Sequence, residues 1–393
     1  MPHTDDKTPM VDPRQVGIDP EALAALIDRA HREIDQGILP SCQLAVAAGD
    51  QLVAHETIGA AEPDSRYVIF SCTKALTVGA FWLLLAEGAV TLDQTVADVI
   101  PEFASHGKDV VTVRQLLLHE SGFPHAPINL VTDTTRQDRL DRFASWRLNW
   151  EPGTRFEYHA TSAHWVMAEL IERLSGTDYL EFIRQRILVP LGLRRLQLGV
   201  PIDEQGDIND LESRGEPPTS AELEAVFGVA GLTLEGLQGE VTDAALLSFN
   251  RPDIRALGVP GGGGVSTAAD LALYYQALLH NPDGLWDSAT LRSGTAEVHG
   301  EHPDPLMGVS SNRALGLVIA GEGRDMTLRG FGHTVSPATF GHAGAGGQIA
   351  FADPDSDLSF SYLTNGLDAN VIREARRTSG LASRAALLAR DLN

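Results

Sequence analysis

Ser71 and Lys74 stand three residues apart in Phe70-Ser71-Cys72-Thr73-Lys74, at the start of a run that reads as helix from Ala75 to Glu87. Three residues are close to one helical turn, so an amine at Lys74 can reach a hydroxyl at Ser71. A serine alone is a poor nucleophile, and a neighbouring amine able to lose its proton makes it a usable one. Two fixed positions in four recur by chance, but residue usage sharpens the pattern. The chain has three lysines (Lys7, Lys74, Lys108) against 27 arginines. Lys74 also adjoins the apolar stretch Ala80-Phe81-Trp82-Leu83-Leu84-Leu85, where a charged head is costly unless paired or neutralised. The plainer alternative is a lysine at a helix N-terminus with its head in water.

A Ser-Lys pair still needs a second proton carrier and an oxyanion hole. Tyr158 follows Glu151-Pro152-Gly153-Thr154-Arg155-Phe156-Glu157 and precedes a helical run, which puts it on a loop at an element boundary. A phenol beside a protonated lysine has its pKa lowered and can accept a proton. The alternative is a partly buried structural tyrosine. His342-Ala343-Gly344-Ala345-Gly346-Gly347 lies between two extended segments, and its glycines permit close approach of the backbone to another group. One N–H there can face a substrate carbonyl oxygen; a tight turn is the alternative. Gly264-Val265-Ser266-Thr267-Ala268 is similar to a nucleophile elbow, but four glycines stand where the preceding strand is required, so Ser266 is set aside. The same glycines follow no strand and open no βαβ unit, so they make no dinucleotide fingerprint.

Composition narrows the classes. With 393 residues, two subdomains or one large domain are both open. A net charge of −23 argues against nucleic acid or an anionic membrane surface as partner. Two cysteines, Cys42 and Cys72, form no disulfide framework, and scattered histidines suggest no metal. The chemistry sketched above requires no cofactor. No basic and apolar leader is seen at residues 1–7, and no apolar run approaches the ~18 residues of a membrane span, so a cytoplasmic protein is expected.

The elements follow from periodicity and breakers. Residues 20–36 carry Leu23, Leu26, Ile27 and Ala30 on one helical face. Residues 41–48 and 51–58 read as a hairpin turning at Gly49-Asp50, and residues 67–70 as a short extended entry to Ser71. Residues 92–103 read as helix or turn, and 113–119, 161–174, 179–188 and 267–279 as helices, the last capped by Ser266 or Thr267. Residues 314–320, 325–328, 348–352 and 358–363 alternate like antiparallel strands, and 370–392 reads as a long closing helix. Strands near both ends can complete one antiparallel sheet, leaving a helical middle as a second lobe. The expected class is therefore α+β with the site between lobes. The expected division is residues 1–70 and 256–393 as the two parts of an α/β lobe, with residues 71–255 mainly helical. Within the latter, 201–255 forms a possible cap.

Taken together, these motifs resemble the serine β-lactamase-like superfamily, in particular class C β-lactamases and family VIII carboxylesterases. The resemblance runs from Phe70-Ser71-Cys72-Thr73-Lys74 through Leu85-Ala86-Glu87-Gly88 with Leu92-Asp93, and Val113-Arg114-Gln115-Leu116-Leu117-Leu118-His119-Glu120-Ser121-Gly122. It continues with Pro152-Gly153-Thr154-Arg155-Phe156-Glu157-Tyr158, Gly262-Gly263-Gly264-Val265-Ser266-Thr267-Ala268-Ala269-Asp270-Leu271 and Phe340-Gly341-His342-Ala343-Gly344-Ala345-Gly346-Gly347. It leaves out 201–255. It implies a β-lactamase/transpeptidase-like fold, Ser71 as acylated nucleophile, Lys74 as base or proton relay, and Tyr158 as the tyrosine of a Tyr-x-Asn motif. It further implies His342-Ala343-Gly344 as the third motif, with His342 and Gly344 facing substrate, and the N–H groups of Ser71 and Ala345 as oxyanion hole.

Two departures select a branch. Tyr-x-Asn is Tyr158-His159-Ala160 here, so the amide that grips an acylamino side chain in lactamases is a methyl group. The third motif carries His342 in place of lysine, so it supplies no fixed cation, although a histidine can charge at mildly acid pH. Both point to neutral, short-chain carboxylic esters as small-molecule substrates. An acyltransferase of the same fold and a β-lactamase or D-amino-acid peptidase are the enzymatic rivals. An inactive homologue serving as a binding module is the non-enzymatic one.

Overall fold

The computed structural model describes residues 9–228, 231–239 and 241–389. Its central sheet begins with a hairpin. β1 (Ser41–Ala48) turns into β2 (Gln51–Gly59) through Gly49 and Asp50, both with positive φ, as a two-residue turn between twisted strands requires. β1 then pairs along its other edge with a strand more than 300 residues away, in the register Cys42↔Thr364 to Ala48↔Leu358.

Five short strands precede and surround that return. They are β3 (Tyr67–Val68), β4 (Gln197–Leu198), β5 (Glu212–Arg214), β6 (Gly264–Ser266) and β7 (Val318–Ile319). β8 (Phe340–Gly341), β9 (Ile349–Asp353), β10 (Leu358–Thr364) and β11 (Gly366–Asp368) follow. The main sheet is antiparallel with order β2-β1-β10-β9-β8-β7. A small sheet of order β3-β6-β4 and a parallel β11-β5 pair stand beside it.

Side-chain alternation along β1 assigns its two faces. Leu44 and Val46 join a core with Leu23, Leu26 and Ala30 of the Pro20–Asp35 helix and Leu381, Ala382 and Ala385 of the Val371–Ala385 helix. Ala45 and Ala47 face the opposite core, shared with Leu271 and Ala272 of the Ala268–His280 helix. On that face Ser359 and Ser361 donate hydrogen bonds from β10 to the carbonyls of Ala272 and Ala268, at 2.7 and 2.5 Å. Thr267 caps the helix by accepting from the Asp270 N–H.

The Lys74–Ala86 helix is buried on all sides from Lys74 to Leu84. A helix apolar all round must lie inside the protein. It packs on the Ser162–Ser175 helix of the helical region and on the Ser288–Thr295 helix. Trp82 donates to the Leu315 carbonyl at 2.9 Å just before β7. This helix therefore ties the residues around Ser71 to the Ser162–Ser175 helix, the Ser288–Thr295 helix and the segment before β7. Cys42 and Cys72 are buried free thiols whose pKa values burial raises, that of Cys42 to about 12.

Several expected elements are corrected. Residues 325–328 are not a strand but a short helix, Asp325–Leu328, closed at Gly330 with φ 94°. Four residues are too few for alternation to separate strand from helix. The expected strand 314–320 reduces to β7, because Gly316 takes φ 99° and breaks the extended run. Residues 92–103 hold 3-10 turns, Val96–Asp98 and the start of Pro101–Val110. The closing helix is Val371–Ala385, and residues 390–392 of its expected span lie outside the described residues. Among the described residues no helix is long and apolar enough to cross a membrane.

Candidate active site

The chain reaches Ser71 through a strained corner. Ile69 N–H bonds the Gly264 carbonyl of β6 at 2.9 Å, and Phe70 then takes φ 44°. A positive φ is rare for a bulky residue and persists only where the surroundings impose it. Phe70 is buried, with its ring edge-to-face against Phe249 at 5.6 Å. A 3-10 turn, Phe70–Thr73, then runs into the Lys74–Ala86 helix. Ser71 therefore sits in a first helical turn, where backbone N–H groups have no intrahelical acceptor. The glycine run serves close packing here. A Cβ on Gly264 would meet Thr73 Oγ1 at 2.7 Å, and that oxygen accepts from the Gly264 N–H at 2.8 Å.

Around Ser71 Oγ the sequence-predicted residues converge. Lys74 Nζ lies 3.1 Å away and the Tyr158 hydroxyl donates to Oγ at 2.9 Å. Lys74 Nζ also donates to the carbonyls of Ala160 at 2.7 Å and Gly261 at 2.6 Å. With two positions of a tetrahedral amine spent on carbonyls, one of the remaining two points at Ser71. As a neutral amine, Lys74 can present a lone pair there. Burial, then the Arg313 guanidinium, holds its pKa well below the lysine range. The Tyr158 phenol behaves otherwise than expected. Burial outweighs its bond to Ser71 and pushes its pKa up to about 12, so it holds its proton instead of accepting one.

The His342–Gly347 segment reaches the same point. A Cβ on Gly344 would meet the Ile69 carbonyl at 2.5 Å, so the glycine backbone lies against the residue that leads into Phe70 and Ser71. Gly344 and Gln348 exchange N–H···O bonds of 3.0 and 3.2 Å across the turn. Between them runs a 3-10 turn, Ala345–Gly347, in which Gly346 and Gly347 take positive φ. The Ala345 N–H opens that turn. His342 Nδ1 is paired with its neighbour's carbonyl at 2.7 Å, and its ring lies 5.9 Å from that of Tyr158. Burial and then Arg313 hold its pKa well below 6.5, which corrects the expectation that it charges at mildly acid pH.

Sequence reasoning missed the groups behind Tyr158. His159 accepts from Phe123 N–H at 3.2 Å and pairs with Ser121 Oγ at 3.1 Å, while its other nitrogen bonds the Glu157 carbonyl at 2.6 Å. Its backbone N–H donates to His119 Nδ1 at 3.1 Å, and the His119 ring lies 5.0 Å from that of Tyr158. These bonds pin the tyrosine loop to the Ser121-Gly122-Phe123 loop. The more consequential omission is Arg313, whose guanidinium carbon lies 5.6 Å from the Tyr158 ring centre and 5.4 Å from that of Phe156. A fixed cation is thus present at the site, supplied by the segment before β7 and not by the third motif. The only sequence signal was an arginine abutting the apolar run 314–320.

Two serines are separated from this chemistry. Ser266 is fully buried in β6, and its hydroxyl donates to the Thr267 carbonyl. Ser105 and Lys108 repeat the Ser-x-x-Lys spacing with Nζ 3.2 Å from Oγ, yet the Ser105 hydroxyl donates to the Ala144 carbonyl at 2.5 Å. Lys108 there donates to the Trp146 and Ser105 carbonyls, both at 2.6 Å. Among the described residues, no group of three or more His, Cys, Asp or Glu could hold a metal ion.

Comparison with known proteins bears on the family and the fold. The chain is 28% identical over 316 residues to the esterase/beta-lactamase LipL of Mycobacterium tuberculosis, covering 77% of this chain and 70% of LipL. The structure resembles that of EstA from Arthrobacter nitroguajacolicus with a TM-score of 0.75 at 26% identity, covering 94% and 98% of the two chains. It likewise resembles a penicillin-binding protein homologue from Caulobacter crescentus, with a TM-score of 0.73 at 26% identity and coverage of 93% and 99%. The Beta-lactamase family model matches residues 24–384, and the chain therefore belongs to the beta-lactamase family, with the β-lactamase/transpeptidase-like fold of its structural relatives.

Proposed function

We propose that this protein hydrolyses short-chain carboxylic esters through an acyl-enzyme on Ser71. The observation that carries the reading is the position of Ser71 Oγ, 3.1 Å from a buried amine and 2.9 Å from a protonated phenol. Neutral Lys74 takes the Ser71 proton as Oγ attacks the ester carbonyl. The charge that develops on the carbonyl oxygen is met by the N–H groups of Ser71 and Ala345. Tyr158 then gives its proton to the departing alkoxide, and Lys74 returns one to Tyr158. A water molecule repeats the sequence in reverse and releases the acid. Phe249 of the 201–255 segment packs edge-on against Phe70, the residue before Ser71, and a capping role for that segment is part of this proposal.

Ester over lactam is supported by Ala160. Its carbonyl is engaged by Lys74, and its methyl offers nothing to an acylamino group. The name of LipL, which joins esterase and β-lactamase, accords with a site able to take either acyl donor. The deciding experiment is labelling with a fluorophosphonate followed by peptide mass analysis. The adduct is expected on Ser71, and Ser71→Ala is expected to lower ester hydrolysis by roughly three orders of magnitude or more. An adduct on Ser266, or a Ser71→Ala protein that still turns over ester, defeats the proposal.

A further inference from the structure

Tyr158 stands in a stretch, residues 151–160, that forms neither helix nor strand, yet its hydroxyl meets Ser71 Oγ at 2.9 Å. Irregular backbone is fixed by the partners its N–H and C=O groups find. On the two sides of Tyr158 that partner is the same residue. Glu157 N–H donates to the His119 carbonyl at 3.2 Å, and His159 N–H donates to His119 Nδ1 at 3.1 Å. His119 thus brackets the tyrosine with one main-chain and one side-chain acceptor. Its ring packs on those of Phe156 and Tyr158, with centres 6.0 and 5.0 Å away.

Two features of His119 are unfavourable in themselves. It follows the Val113–Leu117 helix and takes φ 57°, a left-handed conformation that persists only where the surroundings impose it. Nδ1 can accept from His159 N–H only without a proton, so the ring hydrogen lies on Nε2. That nitrogen is buried and has no hydrogen-bond partner among the described residues, and a buried donor left unsatisfied is destabilising. Burial, then the Arg313 guanidinium, holds the ring pKa well below 6.5, so the ring is neutral and Nδ1 remains an acceptor. A strained backbone and an orphaned donor are thus kept together at the one place from which both N–H groups can be reached.

We propose that His119 is the positioning residue for Tyr158, aiming the phenol at Ser71 Oγ and at the alkoxide that leaves the acyl carbon. This role rests on the reading of Ser71 as nucleophile and Tyr158 as acid. In that step the bond from the acyl carbon to the alkoxide oxygen breaks, the alkoxide takes the Tyr158 proton, and the Lys74 ammonium restores it. Substitutions at 119 separate the acceptor from the rest of the residue. Asparagine and glycine both take a positive φ with ease, and both lack the ring. Asparagine carries an oxygen on Cγ, as histidine carries Nδ1, whereas glycine carries none.

The readout is kcat/KM, which reports the steps up to alcohol release, for two esters. Ethyl butyrate loses an ethoxide that needs a proton, and p-nitrophenyl butyrate a phenolate that leaves without one. His119→Gly is expected to lower the value for ethyl butyrate by roughly 10- to 100-fold, as a misplacement of about 1 Å at a reacting centre does. For p-nitrophenyl butyrate the loss is expected to stay under about fivefold, because no acid is called on there. His119→Asn is expected to recover most of the ethyl butyrate loss. In Tyr158→Phe protein, His119→Gly is expected to lower the ethyl ester rate no further, since both changes act on one group. His119→Ala, which also lacks the acceptor, replaces the glycine variant should that not fold. Equal losses on both esters, a loss that His119→Asn shares, or a loss undiminished in Tyr158→Phe protein overturns the proposal and makes His119 a scaffold residue. If no ester is turned over, or if Tyr158→Phe keeps the parental rate on ethyl butyrate, it is the reading of Ser71 or Tyr158 that fails. Crystal structures of the variants then judge His119 alone. A Tyr158 hydroxyl out of hydrogen-bond reach of Ser71 Oγ in the glycine variant, and within it in the asparagine variant, upholds the positioning role. A hydroxyl in its parental place in both refutes it.

Discussion

At the scale of single residues, the site is a matter of which atoms a lysine is left to address. Lys74 and Lys108 have the same spacing from a serine and similar distances to its hydroxyl, 3.1 and 3.2 Å. They differ in where the serine proton goes. Ser105 donates to a carbonyl, whereas Ser71 accepts from Tyr158 and has its own proton free for Lys74. Sequence alone read Ser71, Lys74 and Tyr158, because each belongs to a local motif. It missed Arg313, because that side chain is brought in by tertiary packing from a segment without motif. It also misjudged Tyr158, since a phenol's proton depends on burial that no neighbouring residue reveals. In the proposed mechanism Lys74 acts as a base only when neutral, and its depressed pKa means that it is neutral above that value and charged below it. The rate is therefore expected to rise with pH through a limb placed well below the ordinary lysine range and then level off. Lys74→Arg is expected to be nearly as damaging as Lys74→Ala, because a guanidinium keeps its proton. Ser105→Ala is the matched control, expected to leave kcat/KM within about twofold, as surface-side substitutions away from a site usually do. An active Lys74→Arg enzyme, in initial-rate assays from pH 5 to 10, would reduce Lys74 to a charge.

At the scale of elements, the working parts are two turns pressed together. One is the corner at Phe70, the other the 3-10 turn after Gly344, and the contact between them is backbone against backbone. The hairpin at Gly49-Asp50, the long apolar helix after Ser71 and the strands around 349–364 were readable from turn residues and periodicity. The short pieces were not. β7 spans two residues and the Asp325–Leu328 helix four, so their form is decided by what they pack on. The Gly344 contact can be tested directly. A methyl group there would meet the Ile69 carbonyl at 2.5 Å, so Gly344→Ala must push the turn away from Ser71. A displacement near 1 Å at a reacting centre is enough to lower the rate by about 100-fold. That loss is expected in kcat with the melting temperature changed by only a few degrees. Gly346→Ala is the comparison, strained by its φ of 71° and by Leu367 at 2.6 Å from the added Cβ. If Gly344→Ala kept full kcat while folded, the turn would have no part in holding the oxyanion.

At the scale of the whole molecule, the sheet closes only when residues 41–48 meet residues 358–364, so strands from the two ends of the chain complete one sheet. That architecture was legible in the order of elements, with strands at both ends and helices between. What was not legible is how dry the interior around Tyr158 becomes. His119, His159, His164 and His342 are all buried near Tyr158, and burial holds each below its usual 6.5, His159 at about 3. The fixed Arg313 charge adds to the shift of His119, His164 and His342. The consequence is a stability that depends on acid in a definite direction. In the unfolded chain these rings take up protons as pH falls through 6.5, whereas in the folded protein they do not until the lowered values are reached. The unfolded state binds more protons in that window, so stability falls as pH falls. Each ring contributes a loss of about 2 kcal/mol between pH 7 and pH 5, taking roughly 1.4 kcal/mol for each pH unit and proton. Four together approach the whole stability of an ordinary domain, about 5–15 kcal/mol. Urea unfolding at pH 7, 6 and 5 is thus expected to show a midpoint that drops steeply below pH 6.5, and His164→Gln, which removes one such ring, should flatten the decline. A midpoint constant between pH 7 and pH 5 would mean that these histidines are not held neutral in the fold, and that the dry, positively charged environment assigned to Lys74 and Tyr158 is wrong with them.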